Sequence, residues 1–344
     1  MNLTYLFRSS GTGHSIESLF GTLQEVVEKQ SGVPVKAVHL PFISQGIRSI
    51  WRNLRFVTRL NADVFHITGD IHYAALALPS SQTILTIHDC VTLKTNLRRP
   101  VRFAFFWLFW YYLPIRRAAV VTSVSEKTRQ ELIQYVGSVA RKVTVVPNCY
   151  DPACLYQPMF VLKDSPQLLQ IGTAPHKNLS NLIAAIRGID CILSIVGPLS
   201  EKIIAELDQH SITYRHYVNL RRDEIIQLFR DCTIVTFIST YEGFGMPILE
   251  ANAIGRPVIT SNLSPMCDVA AGSAHLVNPT NVTSIRQGIL QLIHDSTYRQ
   301  CLIDAGLKNV QRYSAVTVAD QYITLYHQLQ SSAKPVSPDY FRLR

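Results

Sequence analysis

The segment YEGFGMPILEANAIGRPVITSN, residues 241–262, decides the fold of this chain. It follows TIVTFIST (233–240), an apolar run that is typical of a buried parallel strand. Pro247 favours a helix start, while Gly255 and Pro257 end that helix before the next strand. The predicted order is strand, glycine loop, helix, strand. Such a loop places backbone amides and a helix N-terminus at the carboxyl edge of a sheet, where an anion can bind.

Two carboxylates frame this loop, because Glu242 and Glu250 stand eight positions apart. The positions between them that we expect to line the site are Gly243, Phe244, Gly245 and Met246. Carboxylates accept hydrogen bonds from hydroxyls, and the loop amides suit a phosphate, so the pattern predicts a nucleotide sugar as ligand. The alternative is a plain turn followed by a solvated glutamate. It leaves unexplained why two glycines, a proline and two spaced acids coincide.

The pattern resembles the E-x7-E signature of the retaining GT-B glycosyltransferases of family 4. The resemblance covers roughly residues 2–330 and is strongest from 167 to 312. It implies an α/β protein of GT-B fold, with two Rossmann-like, doubly wound parallel-sheet domains facing across a cleft. It also implies sugar transfer from a nucleotide diphosphate sugar to an acceptor hydroxyl with retention of configuration, in bacterial cell-surface glycan synthesis.

Length and alternation agree with two domains. The chain has 344 residues, and strand-like runs alternate with helical patterns throughout, six strands in each half. We predict an acceptor-side domain over 1–155 and a donor-binding domain over 156–314, joined by the proline-rich stretch 148–166. By the resemblance, a last helix near 315–330 packs back on the first domain.

Composition indicates a globular protein of a reducing compartment. The chain is 47% hydrophobic and 17% charged, and its seven cysteines form no CxxC pair. The opening MNLTYLFR lacks the features of a signal peptide, and no stretch reaches about 18 apolar residues. We therefore expect a cytoplasmic protein, with peripheral attachment to the inner face of the cell membrane as an option.

Two loops of the first half resemble donor-contacting positions of the family. Gly11 and Gly13 follow the first strand, where the resemblance implies close approach of the backbone to the donor. His88 and Asp89 follow TILTI, and the resemblance implies that His88 orients the sugar and stabilises positive charge at the anomeric carbon. The alternative for this pair is capping of a strand end and of a helix. We expect His66 to be a core histidine.

Lys177 is the predicted cation for the leaving diphosphate. It stands just before a helix, after Gly172 at a strand end, with Asn178 as the expected cap. The family usually pairs this lysine with an arginine, and Thr173 stands in its place. Candidates for the second cation are His176, Arg221 and Arg222. The segment VNLRRDE (218–224) corresponds to the backbone that reads the nucleobase, at Val218 and Leu220.

The resemblance supplies roles and a mechanism. Glu242 would hold sugar hydroxyls and Glu250 the ribose, and the departing phosphate would assist a same-face displacement. No Asp-x-Asp motif occurs, so we expect neither a metal nor a cofactor beyond the nucleotide sugar as co-substrate.

The excess positive charge lies in the first half. Residues 1–160 hold 17 Lys and Arg against 9 Asp and Glu, whereas 161–344 hold 16 against 15. Four arginines at steps of four, three and four share one face of a helix predicted near 43–60, namely Arg48, Arg52, Arg55 and Arg59. The aromatic run 103–113 also lies between arginines. Together they predict contact with an anionic membrane surface or acceptor, against the alternatives of a solvated face and a buried helix.

Other functions stay open at this point. A GT-B fold also serves phosphorylases and nucleotide-sugar epimerases, and a membrane-associated scaffold without turnover is a further alternative. Nucleic-acid binding is not expected, because basic and aromatic residues do not interleave on strands. The acceptor is expected to be a glycan or a lipid-linked glycan.

Overall fold

The computed structural model describes residues 1–11, 15–158 and 165–333, so Gly13 lies outside the described residues. The chain divides into two compact units. The first contains Met1–Pro147 and the chain from Ala315 onward, and the second is Asn148–Ser314. Each unit is an α/β structure built on a parallel six-stranded sheet.

The elements of the first unit alternate as the sequence pattern predicts. In chain order they are β1 (Leu3–Phe7), α1 (Ser15–Ser31), β2 (Val35–His39), α2 (Ile47–Val57), β3 (Val64–Ile67), β4 (Thr83–Ile87), α3 (Val91–Asn96), α4 (Pro100–Phe106), α5 (Leu113–Arg117), β5 (Val120–Ser123), α6 (Glu126–Val136) and β6 (Thr144–Val145).

The second unit and the last helix complete the chain. Their elements are β7 (Gln167–Ile171), α7 (Leu179–Ile186), β8 (Ile192–Val196), α8 (Glu201–Gln209), β9 (Tyr214–Tyr217), α9 (Arg222–Asp231), β10 (Ile234–Phe237), α10 (Met246–Ile254), β11 (Val258–Ser261), α11 (Met266–Ala270), β12 (His275–Val277), α12 (Val282–His294), α13 (Ser296–Asn309) and α14 (Ala315–Ala333).

Strand order fixes where each unit can bind a ligand. The first sheet runs β2-β1-β3-β4-β5-β6, and the second runs β12-β11-β10-β7-β8-β9. In doubly wound sheets a crevice opens at the carboxyl edge where the strand order reverses. That point lies between β1 and β3 in the first unit and between β7 and β10 in the second. Hydrophobic strands such as β1, β4 and β10 are buried along their whole length, because helices cover both faces.

A buried polar cluster fastens α14 to the first sheet. His66, on β3, is fully buried, and its Nδ1 lies 2.8 Å from the Tyr326 hydroxyl. Its Nε2 lies 2.7 Å from Oγ1 of Thr86, and Tyr326 also reaches the Tyr5 hydroxyl at 3.0 Å. Burial lowers the pKa of His66 to about 3, so the ring is neutral. His66 is a satisfied core residue, as predicted.

The segment before β7 belongs to the second unit, and the predicted boundary after residue 155 comes too late. The Tyr150 amide donates to the carbonyl of Tyr313, and the Gln157 amide donates to that of Ile254. The Asp151 carboxylate pairs with Arg222. Because of these bonds, the boundary between the units lies after Pro147. The sequence does not show them, since they cause no shift in composition.

One helix is shorter than predicted, and another contains an irregular segment. The helix predicted near 43–60 spans only Ile47–Val57, so Arg59 lies beyond its end. The helical stretch from Pro100 to Arg117 includes a π-helical segment, Trp107–Tyr112. Its side chains divide, because Trp110 and Tyr111 are buried while Phe105 and Phe109 are exposed. Among the described residues, no helix combines the length and apolarity that crossing a membrane requires.

We predict that Tyr326→Phe lowers the free energy of unfolding of the first unit by about 1–3 kcal/mol. The substitution removes the hydroxyl that satisfies buried polar groups of His66 and Tyr5. The three tryptophans, Trp51, Trp107 and Trp110, all belong to this unit, so urea unfolding followed by tryptophan fluorescence reports on it.

The matched control is Tyr322→Phe, on the same helix and with its ring stacked on that of Tyr326. Its hydroxyl makes a longer contact, 3.3 Å to Thr86, so the loss should be clearly smaller. Equal losses from the two variants would contradict the assigned role of Tyr326.

Candidate functional site

An ion pair lies at the reversal point of the second sheet. Lys177 follows β7 in a 3₁₀ turn, Pro175–Lys177, and Glu242 lies on the loop after β10. Because β7 and β10 are neighbours, the two loops share one edge of the sheet. Lys177 Nζ lies 2.6 Å from Oε1 of Glu242, and both side chains are largely buried. The structure therefore brings together the two residues predicted for the diphosphate and the sugar.

The lysine is held in place by its surroundings. A Cβ at Gly172, which has φ +88°, would come within 3.0 Å of Cε of Lys177. The ammonium lies 4.9 Å from the centre of the Phe237 ring, within the range of a cation–π contact. The Lys177 carbonyl accepts a hydrogen bond of 3.2 Å from Nε2 of Gln170. Gly172 is thus a position of close approach, to the lysine itself.

The glycine loop leads directly into α10. Gly245 is the residue before the helix and has φ +142°, which favours glycine, and Pro247 follows within the first turn. Gly255 ends the helix in a left-handed conformation, as predicted. The Phe244 ring is buried against Tyr313, with 5.9 Å between centroids. A donor contact from Phe244 would therefore come from its backbone, whereas Gly243 and Met246 are half-buried.

Glu250 lies one turn into α10 and is buried. Its Oε1 accepts a hydrogen bond of 2.5 Å from Nη2 of Arg222, the first residue of α9. Nε of the same guanidinium donates to Oδ2 of Asp151 at 2.8 Å. Burial raises the pKa of Glu250, and the charge and hydrogen bond of Arg222 act in the opposite direction. The carboxylate predicted to hold a ribose is thus half of a buried ion pair.

The three candidates for a second phosphate cation differ in their contacts. Arg222 is committed to two carboxylates, and Arg221 pairs at the surface with Asp223 and Glu224. His176 is exposed, and its carbonyl accepts from the Thr240 amide at 2.8 Å.

The contacts of Thr173 and Asn178 differ from those that the sequence pattern suggests. Oγ1 of Thr173, at the position of the family's arginine, donates to the Pro198 carbonyl. Asn178 is the N-cap residue of α7, as predicted, but its side chain makes no capping hydrogen bond. Its side chain donates to the Pro279 carbonyl at 2.7 Å and accepts no backbone amide of α7.

The two predicted nucleobase-reading positions follow β9. Val218 is 48% exposed, and Leu220 is half-buried two residues later. Asn219 between them has φ +55°, a left-handed conformation that asparagine tolerates better than most residues. Their backbones lie at the same edge of the sheet as the loops after β7 and β10, because all six strands are parallel.

His88 lies at the end of β4 in the first unit. Its Nε2–H donates to the Thr68 carbonyl at 2.7 Å, and a Cβ at Gly69 would lie 2.7 Å from Cδ2 of the ring. Burial lowers the pKa of His88, so the imidazole is neutral and presents Nδ1 as an acceptor. Oδ1 of Asp89 accepts from the Val91 amide at 2.9 Å, while the N-cap residue of α3 is Cys90.

The first unit also contains a charged cluster that the sequence analysis does not predict. Arg8, after β1, donates to Oε1 of Glu17 at 2.9 Å and to Oδ2 of Asp70 at 2.5 Å. Asp70 has φ +49° and follows β3, so the cluster lies at the reversal point of the first sheet. Gly11 has φ +79° in the same loop as Arg8, with open space at its Cβ position. No motif marks an arginine and an aspartate that are 62 residues apart.

The arginines predicted for a membrane or acceptor surface are all exposed. Arg52 stacks over Phe42 at 5.2 Å, and Arg55 over Trp51 at 5.6 Å. Trp51 is 56% exposed, and the helix start adds Ile47, which is 80% exposed. A helix that exposes both arginines and large apolar side chains is unusual for a surface that faces only water.

Comparison with known proteins identifies the family. The model described as Glycosyltransferase Family 4 matches residues 13–153, and that described as Glycosyl transferases group 1 matches residues 160–309. The chain belongs to the group 1, family 4 glycosyltransferases. The two models meet close to the boundary between the two units.

One relative of this chain is an enzyme from Escherichia coli. O-antigen chain mannosyltransferase B is 27% identical over 235 residues, which are 62% of this chain and 61% of that protein. The chain therefore spans about three fifths of the length of that relative. Several other matched relatives are also mannosyltransferases by name.

Solved structures show the fold. Sucrose-phosphate synthase from Thermosynechococcus elongatus has a TM-score of 0.81 at 16% identity, covering 97% of this chain and 100% of that one. Anabaena HepE, solved with UDP and glucose, has a TM-score of 0.75 at 18% identity, covering 95% and 100%. The family member has the GT-B fold, which is built from two Rossmann-like units.

We predict that Gly172→Ala weakens binding of a nucleoside diphosphate by at least about tenfold. The added methyl would displace Lys177, and a charge-assisted hydrogen bond contributes about 1.5–3 kcal/mol. Calorimetric titration measures the dissociation constant, using whichever of UDP, GDP and ADP the unaltered protein binds most tightly.

Gly188→Ala is the matched control. Gly188 also has a positive φ, +68°, but nothing lies within 4 Å of its Cβ position. It should show the backbone strain without the loss of affinity. An unchanged dissociation constant in Gly172→Ala would contradict the placement of Lys177 at the diphosphate.

Proposed function

We propose that this chain transfers a sugar from a nucleotide diphosphate sugar to a hydroxyl of a glycan or lipid-linked glycan. The observation that carries the proposal is the Lys177–Glu242 pair beside the glycine loop, at the reversal point of the second sheet. A cation for phosphate, an acceptor for hydroxyls and a helix N-terminus meet there within one unit.

In this proposal Lys177 and the amides near Gly245 stabilise the negative charge that develops on the leaving diphosphate. Ordered donors that are already in place contribute more to the rate than groups that must reorganise. Glu242 holds sugar hydroxyls and, through the ion pair, keeps the ammonium oriented before the donor binds. Glu250 holds the ribose. His88 keeps the role that the family resemblance implies, as an orienting group for the sugar.

Retention of configuration is part of the proposal. The reaction would proceed by same-face displacement, in which the departing phosphate assists the acceptor hydroxyl. The work of the protein is then positional and electrostatic, and it needs no covalent nucleophile. The names of several relatives favour a mannosyl group as the sugar transferred.

The test of function is a transfer and hydrolysis assay over a panel of UDP-, GDP- and ADP-sugars that includes GDP-mannose and UDP-glucose. Release of the nucleoside diphosphate together with an α-linked product from an α-linked donor supports the proposal. Release that requires inorganic phosphate, or conversion of the donor without an acceptor, would instead indicate a phosphorylase or an epimerase. No turnover of any donor would contradict the proposed activity.

We predict that Glu242→Ala lowers turnover by more than about 100-fold with little change in thermal stability. The substitution removes a positioning contact of the sugar and releases the partner of Lys177. Turnover is measured with the donor that the panel identifies.

Glu201→Ala is the control, because Glu201 is an exposed glutamate of the same unit at the start of α8. It should turn over at the unaltered rate. Turnover of Glu242→Ala within tenfold of that rate would count against the assigned site.

We also propose that the first unit lies against an anionic membrane surface at the inner face of the cell membrane. The exposed face of α2 combines arginines with Trp51 and Ile47, which suits the interface between headgroups and acyl chains. A second exposed apolar and basic surface lies around Val101 and Phe105. The Phe105 ring contacts Trp110, which in turn contacts the buried Tyr73. Asn53 of α2 donates to the Tyr73 hydroxyl, which ties the two surfaces together.

We predict that the protein sediments with vesicles that contain anionic phospholipid at low salt, and that Arg52→Ser with Arg55→Ser reduces the bound fraction. Each basic residue at such a surface contributes about 1 kcal/mol, so the double variant should bind about tenfold more weakly, after allowance for screening.

The charge-matched control is Arg187→Ser with Arg215→Ser, two exposed arginines of the second unit. It should sediment like the unaltered protein. Absence of sedimentation at low salt, or equal loss in both double variants, would rule out this surface.

A further inference from the structure

A chain of charged side chains joins three segments of the second unit. Oδ2 of Asp151 accepts from Nε of Arg222 at 2.8 Å, and Nη2 of Arg222 donates to Oε1 of Glu250 at 2.5 Å. The Glu250 side chain is 8% exposed, that of Asp151 17% and that of Arg222 36%. Arg222 therefore joins a buried carboxylate to a partly exposed one.

We propose that Arg222 is a positioning residue for nucleotide binding, which holds the Glu250 carboxylate in the orientation that the ribose requires and is itself fixed by Asp151. The inference rests on the proposed function, because it assigns Glu250 to the ribose. Across the described residues, the hydrogen bond of this carboxylate is made by Oε1, and none reaches Oε2. Oε2 is then the oxygen that accepts from the ribose hydroxyls.

The charge of Arg222 matters as much as its position. Burial raises the pKa of Glu250, and the neighbouring Asp151 raises it further, while Arg222 lowers it. An ionised carboxylate accepts at both oxygens, whereas a protonated one turns an acceptor into a donor. Without Arg222, the pKa of the buried Glu250 would be higher still, and the carboxylate would take up a proton at a higher pH.

Among the residues that the structure describes, the other groups near Glu250 do not replace this charge. Asp151, on the segment before β7, is negative, and burial raises the pKa of the Cys154 thiol to about 12, so that it stays neutral. Arg230, further along α9, donates to the Ala153 carbonyl.

The same arrangement argues against Arg222 as a phosphate ligand. Its Nε and Nη2 are bound to carboxylates, and the set of Asp151, Arg222 and Glu250 carries a net negative charge. A phosphate would be repelled by that set, whereas the hydroxyls of a ribose would not. The structure thus favours a role at the sugar of the nucleotide for this residue.

The experiment measures the dissociation constant of a nucleoside diphosphate between pH 6.0 and 8.5 by calorimetry. The ligand is whichever of UDP, GDP and ADP the unaltered protein binds most tightly. In Arg222→Gln the pKa of Glu250 in the free protein rises, and the ribose needs the ionised form. Affinity should therefore be lost as the pH falls through the raised pKa, by up to about tenfold per pH unit. The same titration of the unaltered protein sets the reference profile, and the variant should be the steeper of the two.

Three variants assign the effect. Arg187→Gln removes an exposed arginine of the same unit outside the proposed site, and should leave the pH profile as in the unaltered protein. Arg222→Gln with Glu250→Gln should lose the extra pH dependence, since the titrating group is gone. Arg222→Lys keeps a positive charge but cannot bind both carboxylates in the same fork, so it should bind about three- to tenfold more weakly with the reference profile.

Each outcome decides the inference. A steeper profile in Arg222→Gln that disappears in the double variant supports it. A melting point that falls while affinity and profile stay unaltered makes the pair purely structural and overturns it, as does weakening that is equal at every pH. If Arg222→Gln does not fold, Arg222→Lys carries the test, and unaltered affinity there overturns the inference. If the unaltered protein binds no nucleoside diphosphate, the proposed function fails, and this inference with it.

Discussion

The neighbouring position of β7 and β10 is the constraint on which the rest of the proposed site depends. Parallel strands end at one edge, so the loops after these two strands must meet there. One loop supplies an ammonium, the other a carboxylate, and the pair closes at 2.6 Å with both groups largely out of water. An ion pair of this kind costs desolvation of both partners, so a functional role explains it better than a contribution to stability.

The first unit is built on the same principle with different chemistry. Its strand order reverses between β1 and β3, where Arg8 pairs with Asp70 and Glu17. His88, from the next strand, is neutral because it is buried, and its Nε2–H is bound to a backbone carbonyl. The reversal point of the second sheet thus holds the ammonium of Lys177 paired with one carboxylate. That of the first sheet holds an arginine with two carboxylates, and the neutral ring of His88 lies on the next strand.

The sequence predicts the elements of this fold well because both sheets consist of buried parallel strands. Apolar runs such as TILTI and TIVTF stand out between helical periods, and their observed bounds agree with the predicted ones within one or two residues. The glycine loops that follow β7 and β10 place Lys177 and Glu242 at one edge of the sheet, and the sequence pattern predicts both loops. The family and the GT-B fold, both implied by that pattern, are confirmed by the comparisons.

Contacts between residues far apart in the chain could not be predicted from the sequence. Asp151, Arg222 and Glu250 come from three separate segments, so nothing local indicates that Arg222 binds carboxylates instead of phosphate. The missing capping hydrogen bond of Asn178 has the same origin, since its Nδ2 donates to a carbonyl about one hundred residues away and its Oδ1 accepts from Asn181. The predicted domain boundary lies too far along the chain because the stretch after Pro147 is anchored by bonds to residues of the second unit.

The most direct test of the central claim is a crystal structure of the protein with a bound nucleotide sugar, GDP-mannose or UDP-glucose according to which one binds. The account predicts the diphosphate beside Lys177 and the amides near Gly245, with the sugar at Glu242 and the ribose at Glu250. A nucleotide that lies away from the loops after β7 and β10 would contradict it.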